Sequence, residues 1–362
     1  MKKILPFLLV WAVSVSAHAF SFSAPATTGQ TLYFTIVDGN TVKVVAPVTV
    51  GWIGYSAPTG HLVIPATVTN EGTSYSVTAI DRMAFQDCGA LASVVIPGSV
   101  VSIGQRAFTG DTMLTKAILE EGVQRIDMMA FNSCIRLDTI ELPSTLTRIA
   151  VSAFENTAYY NNMGNWSSDM MLTLGQWVIK EGNQAVGTVQ VPEGIVGIAN
   201  NAFLYCRYVE KVVLPTTLRF VGDGAFKDCY ELDTLQLGCV EPPAVSDDSF
   251  DGVNPLPVLV VPCSTATAYN AAQYWNACPI VEVPCPNAIG EVETLSALTV
   301  TLLSDGVTVS GAEGAAMTVC DMMGRCIYKV SRAEMQQHLS LPAAGVYVLL
   351  AGNEAIRISY SR

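Results

Sequence analysis

Apolar positions recur along most of this chain with a long, fixed period. Phe85, Phe108, Phe131 and Phe154 stand 23 residues apart, Phe203 and Phe226 are again 23 apart, and Phe250 follows after 24. The 49 residues from Phe154 to Phe203 fit one ordinary unit and one diverged unit of 26. Ile103, Ile126, Ile149, Ile198 and Val221 each sit five residues before a repeat Phe, and Pro97, Pro143, Pro192 and Pro215 keep the same phase. Several columns in one phase make an internal repeat. Within a unit, Val94 and Ile96 alternate as in a strand, and Pro97 ends it because it has no N–H for the ladder. The three-residue step from Val100 to Ile103 suits a tight coil, and no run is long or 3.6-periodic enough for a long helix. One unit (Leu91, Val94, Ile96, Val100, Ile103, Ala107 and Phe108) is too small to close a core. Units must therefore stack, at about 4.8 Å per coil.

These motifs resemble the BspA-type (Treponema-type) leucine-rich repeat of bacterial surface proteins, over roughly residues 30–283. Tyr33-Phe34 through Val45, with a hairpin turn at Asp38-Gly39-Asn40, is similar to that family's N-terminal cap. Leu259 through Cys263 to Tyr269, then Trp275, is similar to its closing repeat, and Tyr159 through Ile179 to a diverged insert. The resemblance implies a right-handed leucine-rich-repeat solenoid with short parallel strands, adhesive rather than catalytic. The partner it implies is a protein or glycoprotein outside the cell.

Beyond Pro284-Cys285-Pro286-Asn287 the pattern changes to short alternating strands around Val307–Val309, Met317–Val319, Cys326–Tyr328, Val346–Leu349 and Ile356–Ile358. That stretch predicts a small all-β sandwich. Val319 to Arg325, Ala344 to Tyr347 and the terminal Arg362 resemble the C-terminal sorting domain of the type IX secretion route of Bacteroidetes. The expected organisation is a signal peptide over 1–19, a β cap over 20–60, a solenoid over 61–283 with its diverged repeat at 158–186, a linker over 284–297, and the sandwich over 298–362.

Lys2-Lys3, the apolar run from Ile4 to Val15, and Ala17-His18-Ala19 read as an export leader and its cleavage site. Export places the product in the medium or on the bacterial outer surface. No later apolar run is long enough to span a bilayer. The formal charge of −12, with 19 Lys and Arg, argues against nucleic acid and anionic membranes as partners.

Only His61 and His338 survive cleavage, and no nucleophile elbow, zinc-protease helix or phosphate loop is present. The expectation is no enzyme, no metal and no cofactor. Cys88, Cys134, Cys206 and Cys229 each follow a repeat Phe by three residues and read as a buried ladder of small apolar thiols. Cys239, Cys263, Cys278 and Cys285 cluster at the end of the array and are expected to form two disulfides. Cys320 and Cys326 flank one turn, where they either bridge or pack. Asp247 to Gly252 lacks the ordered alternation of a calcium loop and reads as a plain loop.

The expected binding surface is the outward strand face. Its inner column is Val95, Ile118, Glu141, Gln190, Val213 and Gln236, and a parallel column holds Lys116 and Lys211. Eight coils give about 38 Å by 12 Å, about 450 Å², short of the roughly 800 Å² per partner of a standard interface. Trp166 and Trp177 in the diverged unit are expected either to extend this surface or to fill the core. The alternatives to adhesion are an assembly component of the cell envelope and a carbohydrate-binding accessory protein.

Overall fold

The computed structural model describes residues 20–49, 51–182 and 184–284, and residues 299–360 apart from 304–305, 311–313, 315, 322–324, 335, 343–344 and 352–353. The expected leader, Cys285 with the linker that follows it, Met322 to Gly324, Ala344 and Arg362 lie outside the described residues.

Each coil carries a longer parallel strand on one side, a two-residue strand on the other, and a turn holding the repeat Phe. The longer strands Gly60–Val63, Leu91–Ile96, Lys116–Leu119 and Thr139–Glu141 pair in parallel, in chain order. Ser102–Ile103, Arg125–Ile126 and Arg148–Ile149 form the opposite ladder, which continues the antiparallel cap Phe22–Pro25, Thr31–Ile36 and Thr41–Val45 through Thr73–Ile80. In the cap's turn Asp38 Oδ1 accepts the N–H groups of Asn40 (3.0 Å) and Thr41 (2.9 Å). These bonds, Asn40 first, hold its carboxyl below the usual range.

The strands form where β-branched and apolar residues alternate, and they stop at the prolines: Leu91–Ile96 ends before Pro97 and Tyr208–Leu214 before Pro215. Inward residues of neighbouring coils meet directly. Phe85, Phe108, Phe131 and Phe154 stack face to face with centroids 4.9, 5.0 and 5.5 Å apart, all fully buried. An indole closes each end of the Phe column. Trp52 stacks on Phe85 and donates to Ala84 O at 3.0 Å; Trp275 meets Phe250 edge-on and donates to Pro243 O at 2.7 Å. A terminal coil would otherwise expose its apolar face, and indole covers it while satisfying its own donor.

The array is interrupted once. The hairpin Met171–Leu174 and Trp177–Glu181 opens a second ladder with Gly197–Ile198 and Phe220–Val221. The longer strands resume as Val186–Gln190, Tyr208–Leu214, Thr234–Leu237, Val258–Val261 and Ile280–Glu282. The outward face is therefore two sheets, of four and five strands, and the single continuous stripe expected from the sequence is corrected. The cause lies in the core. Glu181 occupies the Phe station of the diverged coil: its N–H donates to Ala202 O as Phe131 N–H donates to Ala153 O. A carboxylate cannot stack, so the column stops at Phe154 and restarts with Phe203, Phe226 and Phe250. Glu181 Oε2 instead accepts the Cys206 thiol at 2.6 Å.

The C-terminal stretch is a sandwich of antiparallel sheets. Thr299–Leu303, Gly306–Ser310 and Gln336–Ser340 form one sheet; Cys326–Val330, Met317–Asp321, Gly345–Ala351 and Glu354–Tyr360 form the other. Val307, Val309, Met317, Val319, Leu339 and Leu349 are buried between them.

Candidate functional site

The outward face of the longer strands is built by the ladder itself, because alternate residues of a strand point to opposite sides. Val94, Ile96, Ala117 and Leu119 are buried while Ser93, Val95, Lys116 and Ile118 face outward. Parallel pairing puts the outward residues in rows. Val95 lies beside Ile118 and Ile118 beside Glu141, with Ser93, Lys116 and Thr139 in the neighbouring row. In the second sheet Gln190, Val213 and Gln236 form one row and Thr188, Lys211 and Thr234 the other.

Lys116 Nζ pairs with Glu141 at 2.8 Å, with both side chains about half exposed, and His61 Nδ1 meets Ser93 Oγ at 2.7 Å. The face thus mixes short apolar, hydroxyl, amide, imidazole and paired charged groups, and among the described residues its one imidazole meets a serine hydroxyl. At one coil edge Glu121 accepts the Ser144 N–H (2.9 Å) and hydroxyl (3.0 Å), and Glu193 bonds Thr216 in the same way. The Ser144 N–H is the main cause that lowers the Glu121 carboxyl's pKa. These carboxylates tie one coil to the next.

Trp177 does not join the face. It is 3 % exposed, stacked on Phe220 at 6.0 Å, and a Cβ at Gly197 would collide with its ring. Its place as a binding residue is corrected: the apolar end of the second ladder needs covering, and Gly197 makes the room. Trp166 is half-buried, edge-on to Tyr160, and donates to Tyr160 O at 2.8 Å.

Beside Trp177, at the interruption, a cavity of about 170 Å³ is rimmed by Arg148, Asn200, Asp223 and Ser246. Arg148 pairs with Asp223 at 2.9 Å and Asn200 Nδ2 donates to the same carboxylate at 2.8 Å. The polar rim is bonded to itself, and small-molecule sites usually need about 300 Å³ or more. The cavity is what stacking leaves where the two ladders meet.

The four repeat thiols are buried and none is in a disulfide. Cys134 Sγ donates to Phe108 O and Cys229 Sγ to Phe203 O, both at 3.0 Å. Burial pushes the Cys88 and Cys134 thiols far above their ordinary value, which removes thiolate reactivity. Asp111 and Thr157 stand in the same column, both fully buried.

At the end of the array Cys263 is disulfide-bonded, but Cys239 and Cys278 are free. The expected pair of bridges is corrected: Cys239 Sγ instead meets the Tyr269 hydroxyl at 3.2 Å. Burial raises Cys278 to about 11. Cys320 and Cys326 are opposite in register, yet both are free, with a bulge between Val319 and Cys320.

Sequence reasoning missed one surface group: Tyr205, Arg207, Tyr208 and Tyr230, all exposed on two adjacent coils. Its signal was present, since Tyr205 stands where the other units carry small turn-forming residues.

The family model described as BspA type leucine rich repeat region matches residues 67–167 and 182–296, in 6 copies. Among solved structures, a leucine-rich repeat protein from Bacteroides capillosus is 29% identical over 36% of this chain and 91% of its own, with a TM-score of 0.32. One from Bacteroides ovatus is 15% identical over 73% of this chain and 100% of its own, with a TM-score of 0.35. A leucine rich cell surface protein from Faecalibacterium prausnitzii is 18% identical over 73% and 96%, with a TM-score of 0.26. No curated protein sequence matches the chain.

Proposed function

The chain belongs to the BspA-type leucine-rich repeat family, and from that premise we propose that it is an exported, non-enzymatic adhesin that holds extracellular proteins or glycoproteins on its outward strand face. The observation that carries this reading is the in-register rows: Ser93, Lys116 and Thr139 beside Val95, Ile118 and Glu141, then Thr188, Lys211 and Thr234 beside Gln190, Val213 and Gln236. A rigid parallel ladder holds these groups at a fixed spacing, so little side-chain order is lost when a partner docks.

Four and five strands at about 4.8 Å give patches of about 14 and 19 Å, together about 400 Å² at 12 Å width. That is half of a standard partner footprint. One molecule binds weakly, and many copies on a surface bind firmly. Trp166, half-buried in the diverged unit, is an added contact for the partner; Trp177, being core, is not. Export by the leader at 1–19 puts the face outside the cell, and the C-terminal sandwich serves as the type IX sorting and anchoring module. Among the described residues no helix is long and apolar enough to cross a membrane.

The test is binding of the mature protein, single and multimerised on beads, to a panel of matrix glycoproteins. Saturable binding that appears on multimerisation and falls in Val95→Glu with Ile118→Glu supports the reading. No binding by the beads overturns it. Removal of residues 298–362 in a host with type IX secretion should leave the repeats in the periplasm; unchanged surface display would remove the sorting role.

A further inference from the structure

Every ordinary coil has a residue of left-handed backbone two positions after its Phe. Asp87 (φ 60), Gly110 (80), Ser133 (61), Asn156 (60), Asp228 (58) and Gly252 (76) fill this column with the small or Asx-type residues that the left-handed region favours. Tyr205 (φ 64) is the exception. A bulky aromatic there is strained, and the coil geometry does not ask for it, since every other unit does without. The strain accompanies an exposed cluster. Tyr205 is 46%, Tyr230 51% and Tyr208 62% exposed, and the Arg207 guanidinium lies 5.7 Å from the Tyr205 ring centre and 5.6 Å from that of Tyr230. Arg207 and Tyr230 hold the same repeat station on successive coils.

A guanidinium held near two phenol rings still has its fork of N–H donors, which can take a carboxylate with two parallel hydrogen bonds. Among the described residues no carboxylate forms an ion pair with Arg207. The exposed phenol faces offer flat apolar ground for the C–H face of a pyranose. Two coils span about 5 Å centre to centre, room for one or two sugar rings and far too little for a protein footprint. Charge narrows the class further. Asp228 accepts the Tyr230 hydroxyl at 3.3 Å, Glu210 and Glu231 are exposed close by in sequence, and the chain carries −12. That setting repels a polyanion but leaves one cation to meet one carboxylate.

We propose that Tyr205, Arg207, Tyr208 and Tyr230 form a binding site for a carboxylate-bearing sugar at the end of a glycan chain. Tyr205, Arg207 and Tyr230 lie on turns and Tyr208 opens the strand Tyr208–Leu214, so the site adjoins one end of the second patch and makes no use of Val95 and Ile118 in the first.

The test titrates the mature chain with sialyllactose and with a glucuronate-terminated disaccharide. Lactose serves as the neutral control and a glutamate-rich octapeptide as the protein-like carboxylate. At least one acidic sugar binds saturably, about tenfold or more tighter than lactose. Arg207→Gln weakens it by a similar factor. Tyr205→Asn also weakens it while the melting temperature holds or rises, because Asn relieves the backbone; this separates lost binding from lost fold. Val95→Glu with Ile118→Glu leaves sugar binding unchanged. Failure of both acidic sugars, equal binding of lactose, or indifference to Arg207→Gln overturns the proposal. Binding of the peptide without the sugars also overturns it and marks the cluster as a protein contact.

Discussion

Asp111 is a carboxyl group in a column of thiols, and its titration should be readable as stability. It is fully buried; Oδ1 accepts the Cys88 N–H at 2.8 Å, and Oδ2 has no hydrogen-bond partner. Burial raises its pKa well above the ordinary carboxyl range, opposed by the Cys88 N–H and reinforced by the charge of Asp87. The folded chain therefore keeps a proton that the unfolded chain, titrating near ~3.9, gives up. Stability linked to that proton is complete below the unfolded value and is lost as pH rises through the raised folded value, beyond which the loss levels off. Between the two the loss is about 1.4 kcal/mol per pH unit. Asn at 111 keeps the shape and does not titrate. Urea unfolding followed by tryptophan fluorescence, from pH 4 to 8, should show Asp111→Asn gaining on the parent at up to that slope. Distant carboxylates titrate alike in both proteins and cancel in the difference. A difference that stays flat with pH would mean that Asp111 is ionised in the folded chain, and the argument from burial would fail.

Asp111→Cys, which restores the column's thiol, should raise stability by about 1–3 kcal/mol at neutral pH, the cost of a buried unpartnered polar group; urea midpoints decide it. Gly197→Ala drives a methyl into the Trp177 ring and should cost about 1–3 kcal/mol, with a shift in tryptophan emission as its local readout. Phe131→Ala removes a buried ring stacked on both sides and should cost about 3–5 kcal/mol by thermal or urea unfolding. Lys116→Ala breaks an exposed ion pair and should change stability by less than about 1 kcal/mol, so any loss of partner binding in that variant reports the face and not the fold.

What could be read in the sequence was whatever occurs many times. The Phe column, the strand-ending prolines and the outward rows are each repeated along the chain, and in each a single inward–outward alternation accounts for every copy. Val95, Ile118, Val213 and Gln236 stand where that alternation put them because a parallel ladder preserves phase from coil to coil. Features present once had no second copy to set them against. The 26-residue unit was visible only as a length, and nothing in its sequence marked Glu181 as the occupant of a Phe station. That assignment needs the backbone bond to Ala202. The same holds for Trp177, where an aromatic in an insert fits a surface anchor and a core plug equally well until Gly197 is found beneath its ring.

The interruption follows from the same stacking that builds the rest. A column of rings transmits contact from coil to coil only while every station is aromatic, and the structure closes each break by changing the partner. Trp52 and Trp275 end the column where the coils end, each with its indole N–H bonded to a backbone carbonyl. At the internal break a carboxylate takes the station, and its oxygen is met by the thiol of Cys206 from the next coil. An unsatisfied carboxylate there would cost more than a missing ring contact. The coils on either side are still joined across it by the Asn200 N–H to Ile149 O bond at 2.9 Å and the Arg148–Asp223 pair. The polar bridge keeps the array continuous while its outward face divides into two patches, each too small to hold a partner alone. That geometry is why binding by this chain should depend on the number of copies displayed more than on any single contact.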